Sequence, residues 1–160
     1  MENVDYNEWV PSGTLIKGLF LMITSIIVFV TFAVFLFSEA LLVEDLYGVV
    51  FAWVILAVLL FVYWNFRGLR IQIKEDRLSL TYGLFNKKSF LLKEITSCKT
   101  TSAFGRYLGV GVRYGFDGSM AYTTSFSDAV EVTPMLGRTF VFSSNNPDRV
   151  CEIITKGMLS

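Results

Sequence analysis

The sequence predicts a two-helix membrane hairpin followed by a mostly-β barrel or sandwich of about seven strands, closed by a C-terminal α-helix. Three observations carry this prediction: two long runs without a charge, a change to period-two alternation after Arg67, and one amphipathic segment at the end of the chain. The whole-chain average of 53% hydrophobic and 18% charged residues reflects an uneven division. Residues 1 to 66 hold one cation, Lys17, against six anions, and residues 67 to 160 hold thirteen cations against eight anions. The zero net charge therefore conceals an acidic, apolar half and a basic half.

Gly18 to Phe37 is a run of twenty uncharged residues and Leu46 to Phe66 a run of twenty-one. At about 1.5 Å of rise per residue each spans roughly 30 Å, the thickness of a bilayer's hydrocarbon core. The remaining residues are too few to bury two such helices in a soluble core. A cleaved signal peptide fits the first run poorly, because the residues before Lys17 are acidic and the run is long. The predicted division is a short N-terminal segment (1–17), a hairpin (18–66, with spans 18–37 and 46–66 and a connecting loop 38–45), and a β domain (67–160). The loop carries Glu39, Glu44 and Asp45 and no cation, whereas Lys17, Arg67, Arg70 and Lys74 flank the spans. The positive-inside rule then predicts a multi-pass protein of the plasma (inner) membrane with both termini and the β domain in the cytoplasm. Tyr47, Tyr63 and Trp64 suit the interface zones, and Gly48 with Ala52 forms a weak small-xxx-small pair. No ionisable residue lies inside either run, which argues against an ion pathway through the hairpin alone.

In the basic half, Leu69, Ile71 and Ile73 alternate with Arg70, Gln72 and Lys74, and Leu78, Leu80 and Tyr82 alternate with Arg77, Ser79 and Thr81. This predicts two strands joined by a tight turn at Glu75-Asp76. Further strands are expected at 89–92, 94–101, 110–114, 119–125, 129–133 and 138–143, the last two joined by a turn at Pro134-Met135-Leu136-Gly137. At the end, Asn146 can cap a helix, Pro147 suits its first position, and Val150, Ile153, Ile154 and Met158 share one face. Such a helix covers the open end of a bent sheet.

The order of elements, with Gly109-Val110-Gly111-Val112-Arg113-Tyr114, Ala121-Tyr122-Thr123-Thr124-Ser125, Asp128-Ala129-Val130-Glu131-Val132, Gly137-Arg138-Thr139-Phe140 and Asn146-Pro147-Asp148, resembles the prokaryotic membrane-anchored pleckstrin-homology-like family over nearly the whole chain. The resemblance implies a pleckstrin-homology-like (PH-like) domain behind a membrane hairpin, in a family whose members generally lack an assigned activity. Phe126-Ser127 departs from the small turn expected at that point.

Chemistry is mostly constrained by what is missing. The chain has no histidine, so Ser/His/Asp triads, histidine-bearing zinc sites and H-E-x-x-H proteases are excluded. The glycine-rich stretch from Gly105 to Gly118 contains a G-x-G, but no helix pattern and no Gly-Lys-Ser/Thr follows, so it reads as a bent strand edge. Asp117, Asp128 and Glu131 read as solvated carboxylates. Cys98 and Cys151 make no metal motif and, on the cytoplasmic side, are expected to be reduced and buried. Between Arg67 and Arg113, ten cations face three anions. Such a surface suits anionic headgroups, for which Lys74, Arg77, Lys87 and Lys88 are the candidate phosphate donors; the competing reading is a solvated face that obeys the positive-inside bias. No cofactor, metal or nucleic-acid partner is expected. The expected function is a non-catalytic, membrane-anchored interaction module binding a protein partner, its own copies or anionic headgroups. The alternative is an accessory subunit of a larger transport or secretion complex.

Overall fold

The computed structural model describes residues 5–37, 43–103, 105, 107, 109–115, 117–126 and 128–159. It divides into two units, a helical hairpin of residues 14–65 and a β domain built from residues 1–13 together with 66–160.

In the hairpin, α1 runs Thr14–Phe37 and α2 runs Val43–Asn65. Both are long and apolar enough to cross a membrane. Their antiparallel pairing brings Phe20, near the start of α1, onto Tyr63, near the end of α2, as stacked rings 4.2 Å apart. Leu21, Phe29, Phe51 and Tyr47 are among many large apolar side chains left exposed, which suits hydrocarbon surroundings better than water. A Cβ at Gly48 would meet nothing within 4 Å, so the small pair expected there makes no close approach within this hairpin. The expected loop falls largely on residues 38–42, which lie outside the described ones.

The β domain corrects the predicted division at its first element. Residues expected as a plain N-terminal segment form a strand, β1 (Tyr6–Pro11), which pairs antiparallel with β2 (Gly68–Lys74). The hairpin is thus inserted into the domain, and its two legs leave from Pro11 and Gly68, which face each other in register. Phe66, expected at the end of the second span, instead packs on the domain core with its ring 5.4 Å from that of Tyr82. From β2 the chain turns at Glu75-Asp76, both at positive φ as a two-residue hairpin of this hand requires, into β3 (Arg77–Tyr82) and then β4 (Asn86–Leu91). These four strands form a meander in the order β1-β2-β3-β4.

A second sheet holds β5 (Ile95–Ser102), β6 (Gly111–Tyr114), β7 (Met120–Thr123), β8 (Asp128–Pro134) and β9 (Phe140–Ser143) in the order β5-β8-β9-β7-β6. Here β9 lies between β8 and β7 and runs parallel to β7. Nine strands are therefore formed among the described residues where about seven were expected. No ladder joins the two sheets among the described residues, so the arrangement is two sheets rather than a closed barrel. Both turn apolar faces into one cluster: Leu69, Ile71, Leu80 and Tyr82 from the first sheet meet Val130, Val132, Phe140 and Phe142 from the second.

Helix α3 (Pro147–Met158) contributes Val150, Ile153 and Ile154 to that cluster, on the face its spacing predicts. Asn146 holds the cap position without a side-chain cap bond; its N–H donates instead to Ser144 Oγ at 3.1 Å. Gly157 lets α3 sit against a short 3-10 turn at Leu92–Glu94, since a Cβ there would collide with Leu92. Cys98 on β5 and Cys151 on α3, expected as two reduced thiols, are joined here in a disulfide with Cα atoms 5.5 Å apart. The sequence holds the two cysteines 53 positions apart, and only the docking of α3 on β5 brings them within bonding range.

Candidate functional site

The four cations singled out from the sequence do not form one cluster. In the first sheet Leu69, Ile71, Leu78, Leu80 and Phe90 point inward, and strict alternation places Lys74, Arg77 and Lys87 on the outer face and Lys88 on the inner one. Lys74 and Arg77 oppose each other beside the Glu75-Asp76 turn. Lys87 pairs with Thr81, four residues along β3 from Arg77 and so about 13 Å away. Lys74 approaches Asp5 at 3.7 Å, both largely exposed; a pair of that kind is worth under about 1 kcal/mol. Headgroup binding by all four at one spot is therefore not a geometry this sheet provides.

What the outer face does gather lies at its other end, where the strands connect to the hairpin. Trp9 pairs with Arg70 in register, and the guanidinium carbons of Arg67 and Arg70 stand 6.0 and 5.9 Å from its ring centroid. The ring lies over Gly68, where any side chain would collide with it. Trp9 is 44% exposed, so it offers an aromatic face flanked by two cations. An indole between arginines, a few residues along the chain from two membrane-length helices, has the chemistry of an interfacial anchor.

Behind Trp9, the same strand is fastened by a buried carboxylate. Glu8 accepts hydrogen bonds from Tyr6 Oη at 3.0 Å, Ser144 Oγ at 2.8 Å and the Asn145 backbone N–H at 2.6 Å. Asn145 Nδ2 also donates to the Trp9 carbonyl at 3.3 Å. Burial, followed by the bond to Glu8, pushes the Tyr6 hydroxyl up to about 12. These bonds tie the first strand to the loop that leads into the last helix. Glu8 also explains why the strand escaped sequence reading: Tyr6 and Val10 carry the alternation, but a charged residue occupies the inward position between them.

A cleft of about 270 Å³ is lined by residues of β4, an outermost strand of the first sheet, and by residues of the second sheet that include Tyr114 at the end of its outermost strand β6. Phe90, Met120 and Phe140 line it, Tyr114 stands beside them, and Lys88 and Arg138 supply two cations. Lys88 thus belongs to a concave site rather than to the outer basic face, its Nζ 5.6 Å from the Phe90 centroid. Arg138 was not singled out from the sequence, because a cation after a Pro-x-x-Gly turn carries no signal of what the turn approaches.

The acidic residues considered for catalysis are dispersed. Asp117 Oδ1 accepts from Ser119 Oγ at 2.5 Å and from the Ser119 N–H at 3.0 Å, and Ser119 Oγ meets Tyr107 Oη at 2.7 Å. Asp128 and Glu131, three apart on β8, point to opposite faces. Gly109, Gly111 and Gly118 hold positive φ, which fits the bent-edge reading of the glycine-rich stretch. No group of three or more metal-ligating side chains occurs among the described residues. No family model matches the chain, and no curated protein matches it.

Proposed function

We propose that this protein is a non-catalytic interaction module, a PH-like domain held on the inner face of the plasma membrane by a helical hairpin. The observation that carries the reading is the register pair Pro11 and Gly68, from which both legs of the hairpin leave adjacent strands of one sheet. A domain attached at two neighbouring points has its orientation limited by both, unlike one on a single flexible linker. The Trp9, Arg67 and Arg70 cluster at the same strand ends supports contact with anionic headgroups, each cation within reach of them contributing roughly 1 kcal/mol. The absence of histidine from the sequence and the dispersal of the acidic residues support a binding role over catalysis.

The test is affinity purification of the full-length chain in mild detergent, followed by native mass spectrometry that retains lipid. The expected result is a protein carrying anionic lipid with its own copies or a binding partner, with less lipid retained by Arg67→Glu/Arg70→Glu. A fixed stoichiometric set of foreign membrane subunits would favour the accessory-subunit reading. Turnover of a hydrolase substrate panel by the purified chain would overturn the non-catalytic assignment.

A further inference from the structure

The cleft lined from β4 and β6 combines three features, each of which narrows what it can hold. Its floor is apolar, formed by Phe90 and Phe140 with Met120. Its cations are Lys88 and Arg138, no acidic side chain lines it among the described residues, and neither cation makes an ion pair among them. Two edge strands contribute to its lining, β4 through Lys88 and Phe90 and β6 through Tyr114, since among the described residues β4 pairs only with β3 and β6 only with β7. An edge strand presents backbone N–H and C=O groups to whatever lies beside it.

The cations ask for an anion and the floor for an apolar group. A lipid meets both demands but leaves the strand edges unused, whereas a peptide backbone satisfies the third feature as well. The volume, just below the usual range for small-molecule sites, suits one or two side chains better than a long acyl chain. The rim points the same way: Leu136 is 91% exposed and Tyr114 66%, large apolar side chains of the kind that mark protein contacts. Spacing then constrains the ligand further. Lys88 pairs with Leu80, which is fully buried, so Lys88 and Phe90 lie two residues apart on the inward face of β4. A strand added alongside would set its own residues two apart against them, one opposite the ammonium and one opposite the ring.

We propose that this cleft is a docking groove for an extended segment of a partner protein that adds to β4 and carries a carboxylate two residues from a large apolar side chain. The inference rests on the interaction-module reading and specifies the chemistry of its partner. Lysines on edge strands also serve simply to block unwanted pairing, so the test must separate a groove from a guarded edge.

The full-length chain in phosphatidylcholine nanodiscs is used to select from a displayed library of random octapeptides, with Lys88→Glu/Arg138→Glu as counter-target. Both positions are polar and at the cleft mouth, and equal thermal melts of the two proteins establish that the variant folds. The expected result is enrichment of peptides with an acid-x-apolar or apolar-x-acid pattern that bind the variant at least about tenfold more weakly. N-methylation at alternate residues of a selected peptide should abolish binding, because it removes the ladder donors. No enrichment over the counter-target, or binding indifferent to N-methylation, overturns the proposal. So does a charge-reversal that lowers binding to phosphatidylglycerol nanodiscs while no peptide is enriched, which would make the cleft a lipid site. A stoichiometric partner that the variant still retains would remove the groove and leave the module reading standing. A selected peptide that the wild-type chain cleaves would keep the groove and remove the non-catalytic reading.

Discussion

Glu8 is the residue on which the N-terminal strand depends most. A carboxylate 8% exposed is costly unless its lone pairs are satisfied, and here three donors satisfy them. Glu8→Ala strands Ser144 Oγ and the Asn145 N–H, and is expected to lower unfolding free energy by about 1 to 3 kcal/mol in denaturant titration. Ser144→Ala, which removes one donor and leaves the carboxylate two, should cost less. Tyr82 gives a pH dependence with a definite sign. Burial pushes its hydroxyl up to about 12 from an ordinary 10.0. Because its folded value exceeds the unfolded one, the contribution is fully present below pH 10 and lost as pH rises through 12. Alkaline titration should therefore show tyrosinate absorbance rising together with unfolding in that window, and Tyr82→Phe should shift the transition upward.

At the level of elements, the β2–β3 turn is correct in kind but poor in residues. Glu75 and Asp76 adopt φ of 48° and 59°, a region that glycine and asparagine enter at least cost. Glu75→Asn/Asp76→Gly is expected to raise stability by about 0.5 to 1 kcal/mol without altering the β2–β3 pairing, measured as a shift in denaturation midpoint. The link between β5 and α3 makes a second prediction. With the domain on the inner face of the membrane, as proposed, the cellular thiol pool would keep the cysteine pair reduced, while the 5.5 Å Cα separation allows closure once the protein is purified in air. Alkylation in intact cells should thus trap two free thiols per chain, and the purified protein should contain none. An oxidised pair in cells would place the domain on the opposite side of the membrane, against the charge bias. Closing a loop of this length is worth about 4 kcal/mol, so reductant should lower the melting temperature of the purified protein measurably.

For the whole molecule, insertion of the hairpin between β1 and β2 has a topological consequence. Pairing of Tyr6–Pro11 with Gly68–Lys74 requires both strands to lie on one side of any membrane, which the proposed double crossing by α1 and α2 satisfies because it returns the chain to the side from which it started. Deleting residues 1–11 should therefore do more than shorten a tail. It strips the edge of the first sheet, removes Val10 from the core and leaves Ser144 without its carboxylate partner. The truncated chain is expected to lose cooperative melting in its β domain, whereas a variant in which a short glycine-serine linker joins residue 12 to residue 67 should retain it.

The sequence by itself determined the elements whose physics is local. Charge-free length marked both long apolar helices, alternation marked β2 and β3, and helical spacing marked the buried face of α3; each depends only on neighbours within about a turn or a pleat. The basic half was legible too, but only as composition. What the tertiary structure decided is where distant segments meet: β1 against β2 across the hairpin, β9 inserted parallel beside β7, Cys98 against Cys151, and Lys88 and Arg138 brought to the lining of one cleft while Lys74, Arg77 and Lys87 spread over another face. Strand pairing and register are set by the contacts of a shared core, and a one-residue shift reverses which side chains face inward. For that reason four cations that looked alike along the chain acquired different surroundings once the sheets were packed.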